Sequence, residues 1–267
     1  MTITELDIEV CRTIAVRYGL PLQFVVKEFH IMDAIGLIAN FSSTKPESLV
    51  FKGGTALNKV YLGKMQRFSE DADFDLVGRG ASQNAVRFCK ELASSMSGYK
   101  VEEFRKVHDT VQFYCKYESP IGTDHIRIDI SPKRLKTARP ISSKTAASEF
   151  AHSSVSGLMV YSIEDLTARK LNALATRSEG KDLYDCYVAL PLCKTNELIK
   201  AINQMLKSEG TGSSNKEFIG KALERLRKGD PKRLRNLTNP FIPVSLRPKS
   251  WEELKNSLML KLEELDG

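Results

Sequence analysis

The sequence predicts an α+β fold with two lobes: residues 1–158 form a mixed β-sheet flanked by helices, and residues 159–267 form an all-helical lobe. Two observations support this prediction. In several N-terminal segments apolar and polar side chains alternate with a period of two, which is typical of strands that bury one face. From Val160 onward the apolar residues follow the 3.6-residue period of amphipathic helices instead.

The N-terminal lobe is predicted to begin with two helices and to continue mainly with strands. Residues 6–19 show helical apolar spacing and end at Gly19, and Pro21 is a favourable start for a second helix through residue 41. The later elements are a strand at 49–51, a helix at 56–65, a strand at 71–77, a polar helix at about 82–97, and strands at 99–107, 109–119 and 124–132. A connection rich in Ser, Lys and Thr is expected to run to about residue 153.

The C-terminal lobe is predicted to contain amphipathic helices separated by short breaks. The predicted helices span 162–177, 181–192, 195–210, 216–229 and 250–267. Residues 209–215 (EGTGSSN) read as a flexible loop, and 239–248 (NPFIPVSLRP) as a proline-rich bridge. We find no internal repeat.

Length and composition exclude several protein classes. The chain has 267 residues, enough for one or two domains at ~150 residues each. It has no apolar stretch of ~18 residues, which argues against a membrane span, and its N-terminus does not resemble a secretory signal. The five cysteines form no CxxC pair and only four histidines are present, so neither a disulfide framework nor a structural zinc site is indicated. These features predict a soluble protein of the reducing cytoplasm.

Positive charge is concentrated in one part of the chain. The net charge is +7, but residues 194–249 alone hold 13 basic and 5 acidic residues. Such a tract is typical of a protein with a polyanionic partner, and an ordinary set of solvated helix faces is the alternative. Within the tract Lys221, Arg225 and Lys228 share one helix face, and Arg233 follows after Pro231. These four residues are the predicted RNA-binding stripe.

A strand that runs into a glycine turn is the first candidate for chemistry. The strand ends at Lys52 and is followed by Gly53, Gly54 and Thr55 at the start of a helix. Glycines allow a ligand to approach the backbone closely, and the first N–H groups of a helix attract phosphate. The pattern suits a triphosphate, although a glycine pair is also common in simple tight turns.

Three aspartates alternate along the next predicted strand, sixteen residues after the turn. Asp71, Asp73 and Asp75 are expected to share a strand face because side chains alternate across a strand. Three carboxylates in a packed core would be costly, whereas a hard cation such as Mg²⁺ would relieve their repulsion. The alternative is an edge strand with a solvated acidic face.

A fourth aspartate lies on a later strand. In HIRIDIS the isoleucines are expected to face the core, so that Asp129 and Arg127 face the same side as the aspartates of the earlier strand. Asp129 would then complete a two-metal cluster with Asp71 and Asp73 for in-line displacement at phosphorus. The alternative is that Asp129 only pairs with Arg127 or another local cation.

These motifs together resemble the DNA polymerase β nucleotidyltransferase superfamily, and in detail the AbiEii/AbiGii nucleotidyltransferase toxins. The matching phrases are VVKEFHI, LVFKGGTALNKVY, RFSEDADFDL, LTARKLNAL and KDLYDCY, which cover roughly residues 22–190. The resemblance implies that Asp71, Asp73 and Asp129 bind two Mg²⁺ ions. It also implies that Lys52, Gly53, Gly54, Thr55, Arg67, Ser69 and Lys170 bind the nucleotide, and that Asp182 is an essential acid.

Part of the helical motif has a physical rationale of its own. Lys170 lies among leucines on a predicted helix, so its stem can pack while its ammonium stabilises charge on a leaving pyrophosphate. The alternatives are an ordinary surface lysine, and for Asp182 an acid that complements a helix N-terminus.

The predicted function is therefore an Mg²⁺-dependent nucleotidyltransferase, the toxin of a toxin–antitoxin or abortive-infection system. It would transfer NMP from an NTP to an acceptor, with the 3′ end of tRNA as the expected acceptor and a cognate antitoxin as a further partner. The alternatives are a Mg²⁺-dependent nuclease, which would not need a triphosphate turn, and a noncatalytic RNA-binding protein, in which the aspartates would not need to persist.

Overall fold

Seven strands form one mixed sheet in the computed structural model, which describes residues 6–132, 136–177 and 179–265. The strands are β1 (Ser48–Lys52), β2 (Asp71–Val77), β3 (Lys100–Val107), β4 (Thr110–Ser119), β5 (Gly122–Ser131), β6 (Ser142–Ser148) and β7 (Ser153–Val160). Their order is β3-β4-β5-β2-β1-β7-β6. β2 pairs in parallel with β5 and β1 with β7, while the other neighbours are antiparallel. The mixed sheet that the sequence predicts is thus confirmed.

The last two strands are not predicted from the sequence: β6 lies within the predicted connection, and β7 begins where that connection is expected to end. β6 and β7 fall between residues 142 and 160, and β7 is an internal strand beside β1, with Met159 opposite Val50. The prediction that only a connection runs to about residue 153 is therefore wrong. These strands are rich in Ser and Thr, Gly157 interrupts β7, and the first four residues of β6 are exposed, so the apolar alternation is weak.

The helices of this part of the chain pack on the sheet. They are α1 (Ile8–Tyr18), α2 (Leu22–Ser43), the short α3 (Gly53–Leu57) and α4 (Ala81–Ser95). Asp7 caps α1 by accepting from the N–H groups of Glu9 and Val10, and Gly19 ends it in a left-handed conformation. α2 is buried along most of its length and contacts β1, β5 and β7. Within the described residues, no helix combines the length and apolarity needed to cross a membrane.

The chain divides into two compact units. The first consists of residues 1–134 and 142–160 and holds the sheet; the second consists of residues 135–141 and 161–267. The second contains α5 (Ile163–Thr176), α6 (Gly180–Ala189), α7 (Thr195–Glu209), α8 (Asn215–Lys228), α9 (Pro231–Thr238) and α10 (Trp251–Glu264). Ser214 and Glu217 form a capping box at the start of α8. The helical C-terminal region predicted from the apolar spacing is confirmed.

A cluster of side chains around the buried His30 fixes α2 against the sheet. The His30 ring stacks on Tyr117 with a centroid distance of 3.6 Å, and its Nδ1 lies 3.3 Å from the hydroxyl of Tyr99. Tyr99 in turn donates to Asp33 at 2.8 Å. His30 Nε2 is buried and has no hydrogen-bond partner among the described residues. Burial lowers the pKa of His30 to about 4, with the charge of Asp124 opposing the shift.

We expect the stability of the protein to fall on mild acidification because of His30. Its folded pKa of about 4 lies below the ordinary 6.5, so stability is complete above pH ~6.5 and is lost as the pH falls towards 4. At pH ~5 the loss amounts to about 2 kcal/mol. The free energy of unfolding in urea, measured at pH ~7 and ~5, checks this. His30→Phe should remove this part of the pH dependence, and an equally steep dependence in that variant would contradict the assignment to His30.

Candidate functional site

The glycine turn brings the backbone against an aspartate of the neighbouring strand. Gly53 follows β1 with φ = 77° and begins α3, and a Cβ atom there would collide with the carboxylate of Asp73. Any other residue would therefore be both strained and in steric conflict. This close approach places the turn directly beside a candidate metal ligand.

Side-chain hydrogen bonds hold the turn to the strand that carries the aspartates. Thr55 is fully buried, and its hydroxyl donates to the backbone carbonyl of Asp71 at 2.5 Å. Asn58 donates to the carbonyl of Gly54 and accepts from the N–H of Arg67. The Thr55 side chain, which is predicted to contact a triphosphate, thus holds the turn in place. The group that Thr55 can offer a ligand is its backbone N–H.

Three aspartates from two parallel strands meet beside this turn. Asp73 on β2 lies opposite Asp129 on β5, and Asp71 lies opposite Arg127. Burial, followed by the negative charges of Asp71 and Asp129, raises the pKa of Asp73 to about 7. The three carboxylates are therefore within electrostatic reach of one another. They occupy the face that strand alternation predicts.

The third aspartate of β2 has a different environment. Asp75 is fully buried, and Lys52 Nζ lies 2.5 Å from its carboxylate. Lys52 also helps to lower the pKa of Asp73, against the dominant effect of burial. Lys52 is thus an internal counterion of the acidic strand, and Asp75 is its buried partner.

Two neighbours on the same face orient Asp129. Gln112 on β4 donates to Asp129 Oδ1 at 2.8 Å, while Arg127 Nε lies 3.4 Å from Asp129 Oδ2. Arg127 also donates to Asp71 Oδ2 at 2.5 Å. The local pairing of Asp129 with Arg127 that the sequence left open is present. Sequence reasoning missed Gln112, although the alternation in β4 places it and Tyr114 on one polar face.

Carboxylate oxygens are suitable ligands for a hard divalent cation, but the positions of these three carboxylates do not surround one. Among the described residues, no three His, Cys, Asp or Glu side chains form a group that could hold a metal ion. Arg127 supplies the positive charge between Asp71 and Asp129 instead. Carboxylate oxygens on rigid strands, with the mutual repulsion that raises the pKa of Asp73, are nevertheless a chemistry that Mg²⁺ matches.

A buried ion pair lies behind the glycine turn. The helix of the turn continues as one turn of π-helix, Asn58–Leu62. Within it, the Lys59 ammonium donates to Glu28 of α2 and to Gln66, and both charged side chains are fully buried. Ser148 of β6 also donates to Glu28. The pair thereby joins α2, the turn and the sheet.

The two residues predicted just before the aspartates are both buried. Arg67 donates from its guanidinium to the carbonyl of Phe68, so this part of its side chain supports the local backbone. Ser69 Oγ is buried and has no hydrogen-bond partner among the described residues. An unsatisfied hydroxyl next to the aspartates is compatible with a ligand contact at Ser69.

The predicted lysine of the helical unit lies in a dense charge cluster. Lys170 Nζ is 2.8 Å from Asp182 and 3.0 Å from Asp185, and both carboxylates are fully buried. Arg177 donates to the other oxygen of Asp182 at 2.8 Å. Burial alone would raise the pKa of Asp182, but Lys170 and Arg177 outweigh it and hold the pKa below its usual range. Arg177 is a member of this cluster that sequence reasoning missed.

The predicted RNA-binding stripe is exposed, but three of its four side chains also make contacts within the protein: Lys221 donates to Ser213, and Arg225 and Lys228 have partners as well. The exposed residues are Lys221, Arg225, Lys228 and Arg233. Arg225 donates to the carbonyl of Thr176, and Lys228 pairs with Glu224 on the same helix. The stripe is thus basic, with a part of its charge already balanced.

Comparisons with known proteins identify the family. The model of the nucleotidyl transferase AbiEii toxin, of type IV toxin–antitoxin systems, matches residues 37–264. This match begins after the VVKEFHI motif and extends past the other quoted motifs into the last helix. A comparison with curated proteins finds no match.

Two solved structures share the fold. MenT4, a nucleotidyltransferase toxin from Mycobacterium tuberculosis, matches with a TM-score of 0.62 and 17% identity, over 98% of this chain and 91% of that one. JHP933 from Helicobacter pylori matches with a TM-score of 0.53 and 17% identity, over 92% and 93% of the two chains. At such identity these likenesses establish the architecture alone. Since the family model spans most of the chain, the protein belongs to the AbiEii family and is a nucleotidyltransferase toxin of the type IV toxin–antitoxin class.

Proposed function

We propose that the protein is an Mg²⁺-dependent nucleotidyltransferase in which Asp71, Asp73 and Asp129 hold the metal. The observation that carries this proposal is the meeting of three carboxylates from β2 and β5 directly beside Gly53. When bound, Mg²⁺ would supply positive charge to the attacking and leaving oxygens of an in-line displacement at the α-phosphorus. The family implies an NTP as the substrate.

The residues of the chain position the reactants. The backbone of Gly53 and Gly54 is accessible to a phosphate at close range, and Thr55 and Asn58 fix this turn against the aspartate strand. Gln112 holds Asp129 by Oδ1, while Asp129 Oδ2 lies 3.4 Å from Arg127 Nε. Ser69 offers a buried hydroxyl next to the aspartates. Such preorganisation keeps reacting groups aligned without further rearrangement.

We further propose that Lys170 contributes its charge to nucleotide binding, with Asp182 as the residue that orients it. The support is the near-complete burial of its stem and its fixed contacts to Asp182 and Asp185. Because these carboxylates are fully buried, removing Lys170 would also destabilise its helices. A test of this residue therefore needs Lys170→Arg, which keeps the charge, beside Lys170→Ala.

The proposed acceptor is RNA, with the 3′ end of tRNA as the specific candidate. The support is the basic tract at residues 194–249 and the exposed stripe on α8 and α9. Lysine and arginine contacts to phosphates supply the sequence-independent part of RNA affinity. The cognate antitoxin is a further proposed partner, which the type IV family description implies.

One assay separates the proposed function from its alternatives. The full-length protein is incubated with each labelled NTP, Mg²⁺ and total RNA, and the RNA is separated on a denaturing gel. Label in the tRNA band that depends on Mg²⁺ supports the proposal. Shortened RNA without transfer of label would favour a nuclease, and RNA binding without either reaction would favour a noncatalytic protein.

We expect the exposed stripe to determine RNA affinity and not NTP affinity. The variant Arg225→Ala/Lys228→Ala/Arg233→Ala should raise the KM for RNA, because three phosphate contacts are lost. Each lost contact should reduce the slope of log affinity against log salt by roughly 0.7–0.9. RNA binding across a salt series, together with the KM for NTP, measures both effects.

A matched control removes the same charge elsewhere. Arg12, Arg87 and Lys90 are exposed on α1 and α4, and their replacement by Ala should leave the salt slope for RNA unchanged. An unchanged slope in the stripe variant as well would show that the stripe is an ordinary solvated surface.

A further inference from the structure

Arg127 lies between aspartates of the cluster that come from two different strands. Its guanidinium donates to Asp71 Oδ2 at 2.5 Å, and its Nε lies 3.4 Å from Asp129 Oδ2. It is thus placed between carboxylates from two different strands. Three carboxylates at close range require positive charge, and among the described residues Arg127 contributes it from within the cluster itself.

The oxygens that Arg127 contacts are those best placed to bind a metal. Asp129 Oδ1 accepts from Gln112, so Oδ2 is the oxygen of this carboxylate that remains for a cation. Arg127 faces this same Oδ2. On β2, Arg127 also contacts a carboxylate oxygen, Asp71 Oδ2. A metal and the guanidinium therefore compete for the same donor atoms.

The side chain of Arg127 lies partly in contact with solvent. Its exposed fraction is 41%, although its Nε is buried. The Asp71 carboxylate is also accessible, with 32% of its side chain exposed. The ion pair between Arg127 and Asp71 is therefore within reach of a cation in solution.

We propose that Arg127 is the counterion of the metal-free site and that it competes with the divalent cation for Asp71 and Asp129. This competition sets the ion concentration at which the aspartates bind the cation. Before the cation binds, the charge of Arg127 offsets the repulsion between the three carboxylates. This inference rests on the proposed function, since it assumes that these aspartates bind the ion.

The test measures ion binding without nucleotide and without turnover. Mn²⁺ is titrated into the full-length protein and free Mn²⁺ is followed by electron paramagnetic resonance, with Mg²⁺ added as the competitor. Arg127→Gln should bind Mn²⁺ at least roughly tenfold more tightly than the unaltered protein, because a like charge and a competitor are both removed. Thermal melting confirms that the variant is folded.

Two control variants separate competition from general charge effects. Arg127→Lys keeps a positive charge in the cluster and should bind Mn²⁺ close to the unaltered protein. Arg87→Gln removes the same charge from the exposed face of α4 and should also leave the affinity unchanged. Equal or weaker Mn²⁺ binding by Arg127→Gln would overturn the proposal and make Arg127 a support for the ligands.

Failure of the metal site itself gives a distinct result. If Asp73→Asn binds Mn²⁺ as the unaltered protein does, the assignment of the metal ligands is wrong, and the role of Arg127 is lost with it. If Asp73→Asn loses the ion while Arg127→Gln shows no tightening, only the competition is wrong.

Discussion

Replacement of Asp73 by asparagine is expected to abolish nucleotide transfer while leaving the protein folded. The proposed metal would stabilise the transition state by several kcal/mol. Loss of one of its ligands should therefore lower the rate by roughly a thousandfold or more. The apo protein should gain slightly in melting temperature. The reason is that burial and the charges of Asp71 and Asp129 already disfavour the ionised form of Asp73.

The measurement is transfer from labelled NTP at saturating Mg²⁺, together with thermal melting. Asp71→Asn should behave in the same way, since it also supplies a carboxylate to the cluster. Asp109→Asn is a suitable control because Asp109 is exposed in the turn between β3 and β4. Near-normal transfer by Asp73→Asn would show that the carboxylate cluster is not the metal site.

Replacement of Lys59 by methionine is expected to give the largest loss of stability in the protein. Lys59 and Glu28 are both fully buried, so this substitution would leave an unpaired carboxylate in the core. Removing one partner of a buried ion pair typically costs about 3–5 kcal/mol. The free energy of unfolding in urea measures this loss.

The double variant Lys59→Met/Glu28→Gln distinguishes the lost pairing from lost packing. It removes both charges and keeps an acceptor for the hydroxyl of Ser148, so it should recover most of the stability. A double variant as unstable as Lys59→Met would show that stability depends on contacts of Lys59 other than the Glu28 pair, such as the cation–π contact of its ammonium, 5.2 Å from the centroid of the Phe150 ring.

The parts of the fold and site that follow a local period could be predicted from the sequence. The alternation in RFSEDADFDL and HIRIDIS correctly places Asp71, Asp73, Arg127 and Asp129 on the polar side of their strands, because period-two patterning is a local property. Five helices from residue 163 onward were predicted for the same reason, from their 3.6-residue spacing, whereas the short α9 was not predicted.

Features that depend on distant partners could not be predicted in this way. β7 has a weak pattern of its own and gains its place by pairing with β1. The pairing of Lys59 with Glu28 joins two segments that carry no mutual signal, and a lysine in a helix reads locally as a surface residue. Asp75 differs from Asp73 because the ammonium of Lys52 pairs with Asp75, whereas Gly53 approaches Asp73.

The parallel pairing of β1 with β7 also determines the order in which the sheet can be completed during synthesis. β1, β2 and β5, with the glycine turn and Asp71, Asp73 and Asp129, precede β7 in the chain and are therefore synthesised before it. Until then β1 is an edge strand whose Leu49, Val50 and Phe51 lack the neighbour that covers them in the finished sheet. Nascent chains with such an open apolar edge are substrates for chaperones and prone to association. Premature termination between β5 and β7 would therefore yield an aggregation-prone fragment instead of a shortened toxin.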